Sequence, residues 1–235
     1  TDHNTVIGVS DIAIPSDYET SRTIYMATGD RDARDNYSVG VLKSTDGGTT
    51  WEQSLSLDVA NLCVVTRLLM HPHSNDTLYA AVENFYSGTN KGLYRSVDAG
   101  NNWTKINGLG IMDLEFNPLN PKVMFASSYS NPTEIYKSID GGYSWDTVLS
   151  VTGNRTEIAV TPNDTTRVYA VVSNTNSGLE GIYLSTDAGN SFDKVYDEKN
   201  MLGWESSGDD AGGQGWYDLT IAADPNHADT VFVGG

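Results

Sequence analysis

The 235 residues carry 31 Asp and Glu against 14 Lys and Arg, a formal net charge of −17. Such a surface repels phosphate backbones, because nucleic-acid binding needs clustered cations that release counterions, so nucleic acid is excluded as a partner. An apolar fraction of 38% can fill a core, while the longest apolar candidate, "LCVVTRLLM" from Leu62, is broken by Arg67, which excludes membrane insertion.

The first predicted element pair is "VSDIAIPSDYETSRTIYMATGD" from Val9, an alternating strand, a Pro-bearing turn and a second strand rich in β-branched and aromatic residues. A loop, "GDRDARDNYS" from Gly29, leads to a short strand, then to "KSTDGGTTW" from Lys43, then to a strand beginning at Trp51. The chain then repeats this order. Equivalent strand pairs are "VTRLLMHPHSNDTLYAAV" from Val65, "IMDLEFNPLNPKVMFASS" from Ile111, "TEIAVTPNDTTRVYAVV" from Thr156 and "YDLTIAADPNHADTVFVGG" from Tyr217. The hairpin returns as "RSVDAGNNW", "KSIDGGYSW" and "LSTDAGNSF", so that Ser44, Ser96, Ser138 and Ser185 stand at intervals of 52, 42 and 47 residues. That is the spacing of blades in a propeller.

The expected fold is therefore all-β, a propeller of four-stranded antiparallel blades at about 9–57, 65–106, 111–149 and 156–196, with a half blade at 217–235 and a loop insertion at 197–216. A propeller protects its end strands by ring closure. The expectation is a segment of a larger ring of which this chain, 1–235, holds about four and a half blades, with the remaining blades of the same protein as partners.

The repeated hairpin, S-x-D-x-G-x-x-[WF], reads as a turn rather than a ligand site. Gly48, Gly100, Gly142 and Gly189 tolerate positive φ, Asp46, Asp98, Asp140 and Asp187 accept backbone N–H groups, and the serines bond locally. Trp51, Trp103, Trp145 and Phe192 each bury an aromatic face worth about 2–3 kcal/mol. With strands alternating in direction, these hairpins share one end of each blade with the first-to-second-strand turns. The longer, varied loops gather at the other end, where rigid frames display binding groups.

Among those loops, Asp30, Asp32 and Asp35 stand at a spacing that can converge on a hard cation, making calcium the one cofactor considered. Arg31 and Arg34 offer the alternative of neutralising the same carboxylates in a solvated loop. The insertion joins Trp204 to Glu205, Asp209, Asp210 and Gln214, a ligand-binding set in which an aromatic face and polar groups suit sugar rings or peptide side chains. Trp216 and Tyr217 read either as part of that set or as the core start of the next strand. Cys63, alone in an apolar strand, reads as a buried thiol. His3, His71, His73 and His227 match no zinc spacing. Sequons stand at Asn36, Asn75, Asn102, Asn154 and Asn163. Thr77, Thr165 and Thr230 each follow Asp in a pattern resembling bacterial O-glycosylation sites, or simply open a strand.

The four hairpins resemble the Asp-box, or BNR, repeat, and the resemblance covers nearly the whole chain. That motif occurs in sialidases, in xyloglucan-cleaving glycoside hydrolases of family 74, in sortilin-type receptors and in many secreted proteins. The segments "ATGDRDARDNYSVGVLKSTDGGTTW" and "GQGWYDLTIAADPN" resemble most the large sortilin-like propellers exported by the type IX secretion system. The resemblance implies an extracellular or cell-surface location and a sorting domain outside this chain. A sialidase has Arg-Ile-Pro near its start, whereas "AIPS" has no arginine before Ile14, which argues against that activity. Asp30 resembles in position a catalytic aspartate of family 74, although "ATGDRDARD" departs from that family's "RTD-x-GG". The expected function is a non-catalytic binding or scaffold module for a glycan or protein ligand. The alternatives are a family 74-like glycoside hydrolase using Asp30 and a sortilin-like peptide receptor.

Overall fold

The computed structural model describes residues 8–33, 35–86 and 88–235. The chain is nearly all-β, built from blade-like antiparallel sheets of a partial β-propeller, and it divides into two compact units, Thr1–Ile111 and Met112–Gly235.

The first unit holds two four-stranded sheets. One comprises β1 (Val9–Ala13), β2 (Ile24–Thr28), β3 (Gly40–Ser44) and β4 (Glu52–Ser56); the other comprises β5 (Val64–Met70), β6 (Leu78–Glu83), β7 (Gly92–Ser96) and β8 (Thr104–Asn107). Each is a meander in sequence order. A single-turn helix, α1 (Tyr18–Ser21), fills the β1–β2 turn. The two sheets pack face to face through β1, β2 and β3 against β5, and Tyr25, Val41, Leu55, Val65, Leu68 and Leu78 form the core between them.

The second unit repeats the scheme. Its sheets are β9 (Asp113–Phe116), β10 (Met124–Ser127), β11 (Thr133–Ser138) and β12 (Asp146–Val151), then β13 (Arg155–Val160), β14 (Val168–Ser173), β15 (Leu179–Ser185) and β16 (Asp193–Tyr196), and finally the pair β17 (Thr220–Ala223) and β18 (Val231–Gly234). β13 packs on β9 and β10, and β17 packs on β13 and β14. Phe125, Ile135, Ile158, Val168 and Val172 fill one interface, while Val171, Ile182, Leu202 and Leu219 fill the other.

Three regularities follow from this stacking. The second strands β6 and β14 are buried along their whole length, and "LYAAVE" and "VYAVVS" carry apolar residues consecutively instead of alternating. In all four complete sheets the third and fourth strands slip by one residue at the same place, after Val41, Leu93, Ile135 and Ile182. Such a bulge increases twist at the outer edge. The innermost strands are also tied across sheets by carboxylates: Asp11 Oδ2 accepts the Leu68 N–H at 2.8 Å, and Asp113 Oδ2 accepts the Ile158 N–H at 2.7 Å. A charged acceptor makes these bonds stronger than their neutral counterparts.

Candidate functional site

The repeated hairpins come first, since their polar groups are the most regular in the molecule. In each, the serine Oγ accepts the N–H of the glycine four residues on, at 2.8 Å for Gly48, 2.9 Å for Gly100, 2.9 Å for Gly142 and 2.8 Å for Gly189. The same hydroxyl donates to the aspartate, as Ser44 does to Asp46 at 2.8 Å. The other carboxylate oxygen accepts a side chain four residues on: Thr50 and Ser144 hydroxyls, the Asn102 amide and the Ser191 hydroxyl.

These bonds act on the charged form. The Thr50 N–H and hydroxyl hold Asp46 down at about 2, the Asn102 amide and N–H do the same for Asp98, and the Ser144 hydroxyl and N–H for Asp140. Asp187, held chiefly by the Ser191 hydroxyl and N–H, also lies well below the ordinary carboxylate range. Their hydrogen-bonding capacity is spent inside the turn. Each hairpin is also bonded to the first-to-second-strand turn of its own sheet, Gly47 N–H to Arg22 O, Ala99 to Asp76, Gly141 to Lys122 and Ala188 to Thr166. Trp51 and Trp145 donate from Nε1 to the carbonyls of Gly48 and Gly142 at 3.0 Å, and Trp103 donates to Ser54 Oγ at 3.0 Å. Phe192 packs against the Phe125 core.

At the loop end of the first unit the Asp30 carboxylate closes its own turn, Oδ1 accepting the N–H groups of Asp32 and Ala33 at 2.9 Å each. Asp32 faces Arg31 Nε at 3.5 Å and Asp35 Oδ1 accepts from Asn36 Nδ2 at 3.0 Å. The three carboxylates do not converge: among the described residues no group of three or more His, Cys, Asp or Glu side chains is placed to hold a metal ion. Arg34 and His3 lie outside the described residues, as does Ser87 of the next loop. Cys63 is buried, its thiol pushed up by burial, and Sγ–H donates to Thr89 O at 3.3 Å.

The second unit presents the insertion 197–216 as a braced platform. Asn200 organises it: its Oδ1 accepts the N–H groups of Leu179 at 2.7 Å and Leu202 at 3.2 Å, while Nδ2 donates to the carbonyls of Asp210 and Gly212 at 2.8 Å each. Leu202, 1% exposed, plugs the core between β14 and β17. The Gly215 N–H donates to Ser177 O at 2.8 Å, docking the far end on the β14–β15 loop. On this frame Trp204 stands 70% exposed, its ring passing over Gly212, where a Cβ would come within 3.2 Å of it.

Trp204 and Glu205 line a depression of about 500 Å³ together with Lys199, Met201, Ser206 and Ser207. The other members of the expected set take different places. Asp209 pairs with Lys199 at 2.5 Å, Asp210 Oδ2 accepts the Trp204 N–H at 2.7 Å, and Gln214 donates its backbone N–H to Leu202 O while its side chain stays exposed. Asp210 thus positions Trp204. Its Oδ1 is buried with no hydrogen-bond partner among the described residues.

Trp216 and Tyr217 are 40% and 48% exposed beside the two-stranded sheet β17–β18, and Leu219 is buried. The carbonyls of this segment meet a residue that the sequence reading passed over. Arg155, buried at the start of β13, bonds Glu157 from Nε at 2.9 Å and the carbonyls of Trp216 and Tyr217 from Nη1 at 2.9 and 3.0 Å. The signal was present in "RTE", where two opposite charges two residues apart fall on one face of a strand. A separate hollow of about 480 Å³ in the first unit, lined by Ile14, Met70, His71, Pro72 and His73, lies at the turn end rather than among the long loops. Burial lowers the His71 pKa there.

No family model matches the chain. It is 28% identical over 138 residues to the xyloglucanase Xgh74A of Acetivibrio thermocellus, covering 46% of this chain and 16% of that protein. It is 26% identical over 183 residues to a xyloglucanase of a Paenibacillus species, covering 75% of this chain and 15% of that protein. Among solved structures it is similar to the GH74 xyloglucanase from Xanthomonas campestris, with a TM-score of 0.66 and 17% identity over 99% of this chain and 35% of that one. The structural likeness establishes the propeller fold. The chain spans about one sixth of the length of the curated relatives. Among the described residues no helix is long and apolar enough to cross a membrane.

Proposed function

We propose that this chain is an extracellular propeller segment that binds a glycan through the Trp204 platform, its repeated hairpins being Asp-boxes that fasten the blade ends. The observation that carries the reading is an aromatic ring 70% exposed on a loop braced by Asn200, Asp210 and Leu202. Exposing a large apolar ring on a rigid support costs stability, and a pyranose presents an apolar C–H face that a π-surface accepts. Glu205 lines the same depression and offers acceptors to hydroxyl groups. The similarity to xyloglucanases supports a β-glucan with short side branches as the ligand class.

Isothermal titration with xyloglucan oligosaccharides tests this. Trp204→Ala should weaken binding by about tenfold, the worth of one stacking contact of order 1 kcal/mol, and Trp204→Phe should retain most of it. Equal affinity in wild type and Trp204→Ala would overturn the platform. The names of the relatives favour a second reading, a glycoside hydrolase using Asp30. That chemistry needs two carboxyl groups across the scissile bond, and Asp30 already accepts two N–H groups. Release of reducing sugar from xyloglucan that disappears in Asp30→Asn would establish hydrolysis in place of binding alone.

A further inference from the structure

We propose that Asn107 is a site of spontaneous covalent modification: the Gly108 backbone nitrogen closes on the Asn107 side-chain amide, and water opens the resulting cyclic imide to aspartate or isoaspartate. Asn107 is the last residue of β8, and Asn107-Gly108 is the single Asn-Gly dipeptide in the sequence. Beyond it the chain leaves the sheet. Asn107 is half-buried and Gly108 is exposed. A Cβ built on Gly108 would meet nothing within 4 Å, so the space beside this residue is open.

The turn supplies the geometry. Asn107 Oδ1 accepts the Leu109 N–H at 2.9 Å, which lays the side-chain amide along the Gly108 peptide and polarises the Cγ carbonyl. When the Gly108 nitrogen, having given its proton to hydroxide, attacks Cγ, negative charge develops on Oδ1, where the Leu109 N–H already points. The new C–N bond forms, Nδ2 takes up a proton from water and leaves as ammonia, and a five-membered imide remains. Water then cleaves one of the two C–N bonds to the Gly108 nitrogen. Cleavage at Cγ gives aspartate, whereas cleavage at the main-chain carbonyl gives isoaspartate, in which the chain runs through the side chain. The net change is amide plus water to carboxylic acid plus ammonia.

Other asparagines of the chain show why the site is selective. The same turn recurs at Asn84, Asn117, Asn120, Asn174 and Asn200, each accepting with Oδ1 the N–H two residues on. After Asn117 and Asn120 stand Pro118 and Pro121, which have no N–H to lose. After Asn84, Asn174 and Asn200 stand Phe85, Thr175 and Met201, each with a side chain beside the nitrogen that must attack. Asn84 is also buried, closed to the water that the reaction consumes. Asn107 combines the turn, an open neighbour and solvent. The product bears on β8, because Gly92 of β7 lies against the Asn107 carbonyl, where a Cβ would collide with the oxygen. The isoaspartyl form replaces that carbonyl with a free carboxylate and lengthens the main chain by one methylene.

The experiment incubates the full chain, native and in urea, at mildly alkaline pH and follows each asparagine by peptide mass spectrometry, with an isoaspartyl carboxyl methyltransferase as the probe for isoaspartate. In the native protein the Asn107 peptide should convert at least about tenfold faster than those of Asn84, Asn174 and Asn200, and within about tenfold of its own rate in urea. Gly108→Ala, which the open space accommodates, should slow Asn107 by about tenfold or more while far-UV circular dichroism stays unchanged. Native conversion far slower than in urea means that the fold protects Asn107, and overturns the proposal. Earlier conversion at any other asparagine, or an unchanged rate in Gly108→Ala, overturns it as well.

Discussion

Alanine at Gly189 separates the two demands that the hairpin glycine meets. Gly189 has φ +77°, and a Cβ there would stand 2.2 Å from Cε1 and 2.8 Å from Cζ of Phe125, a ring fully buried in the preceding sheet. The left-handed backbone costs an L residue about 1–2 kcal/mol, and forcing a packed ring aside adds about 1–3 kcal/mol. Gly189→Ala should therefore lose about 2–5 kcal/mol. Gly48 holds the same hairpin position with φ +90°, but its nearest neighbour, Cζ2 of Trp51, is 3.6 Å away, an ordinary contact. There only the backbone cost remains, about 1–2 kcal/mol. Urea unfolding followed by far-UV circular dichroism measures both losses, provided the m value is unchanged. Phe125→Leu, which shortens the opposing ring, should relieve part of the clash, giving a coupling of about 1 kcal/mol in a double-mutant cycle. Equal losses at Gly48 and Gly189, or no coupling to Phe125, would refute the argument that the preceding sheet, and not the turn alone, demands glycine.

Three further outcomes are expected. Asp46, Asp98 and Asp140 titrate at about 2 when folded against 3.8 ordinarily; a depressed acid stabilises fully above its unfolded value, so this contribution should be intact at pH 5 and disappear as pH falls from about 4 to about 2. Urea midpoints across that range should show the loss, and Asp46→Asn with Asp98→Asn should flatten it. Arg155→Met removes the buried ion pair to Glu157 and should cost about 3–5 kcal/mol, whereas adding Glu157→Met should recover part of it; a double variant no better than the single would contradict the pairing. Cys63 should resist a thiol-reactive disulfide reagent in the native protein and react fully in denaturant, with rapid native labelling counting against its burial.

The hairpins show what a single sequence can carry. Within nine residues, Ser44, Asp46, Gly48 and Thr50 supply the side-chain-centred bonds that recur in every hairpin, so local chemistry and its recurrence made the all-β fold class readable before any coordinates. Alternation also places Arg155 and Glu157 on one face of their strand. It does not say what that face meets. The same limit applies to Asp30, Asp32 and Asp35: their spacing does not say where each carboxylate points, and in the folded loop Asp30 accepts two backbone N–H groups.

The amino-acid order alone therefore determined the strands, their reversing turns and the repetition that makes a propeller, because these depend on backbone preferences and bonds spanning a few residues. Tertiary structure decided which distant groups meet. A buried guanidinium some sixty positions earlier in the chain holds the carbonyls of Trp216 and Tyr217, and Leu202 is buried with Val171 of β14 and with Leu219. Burial is a property of neighbours, and those neighbours are distant in sequence.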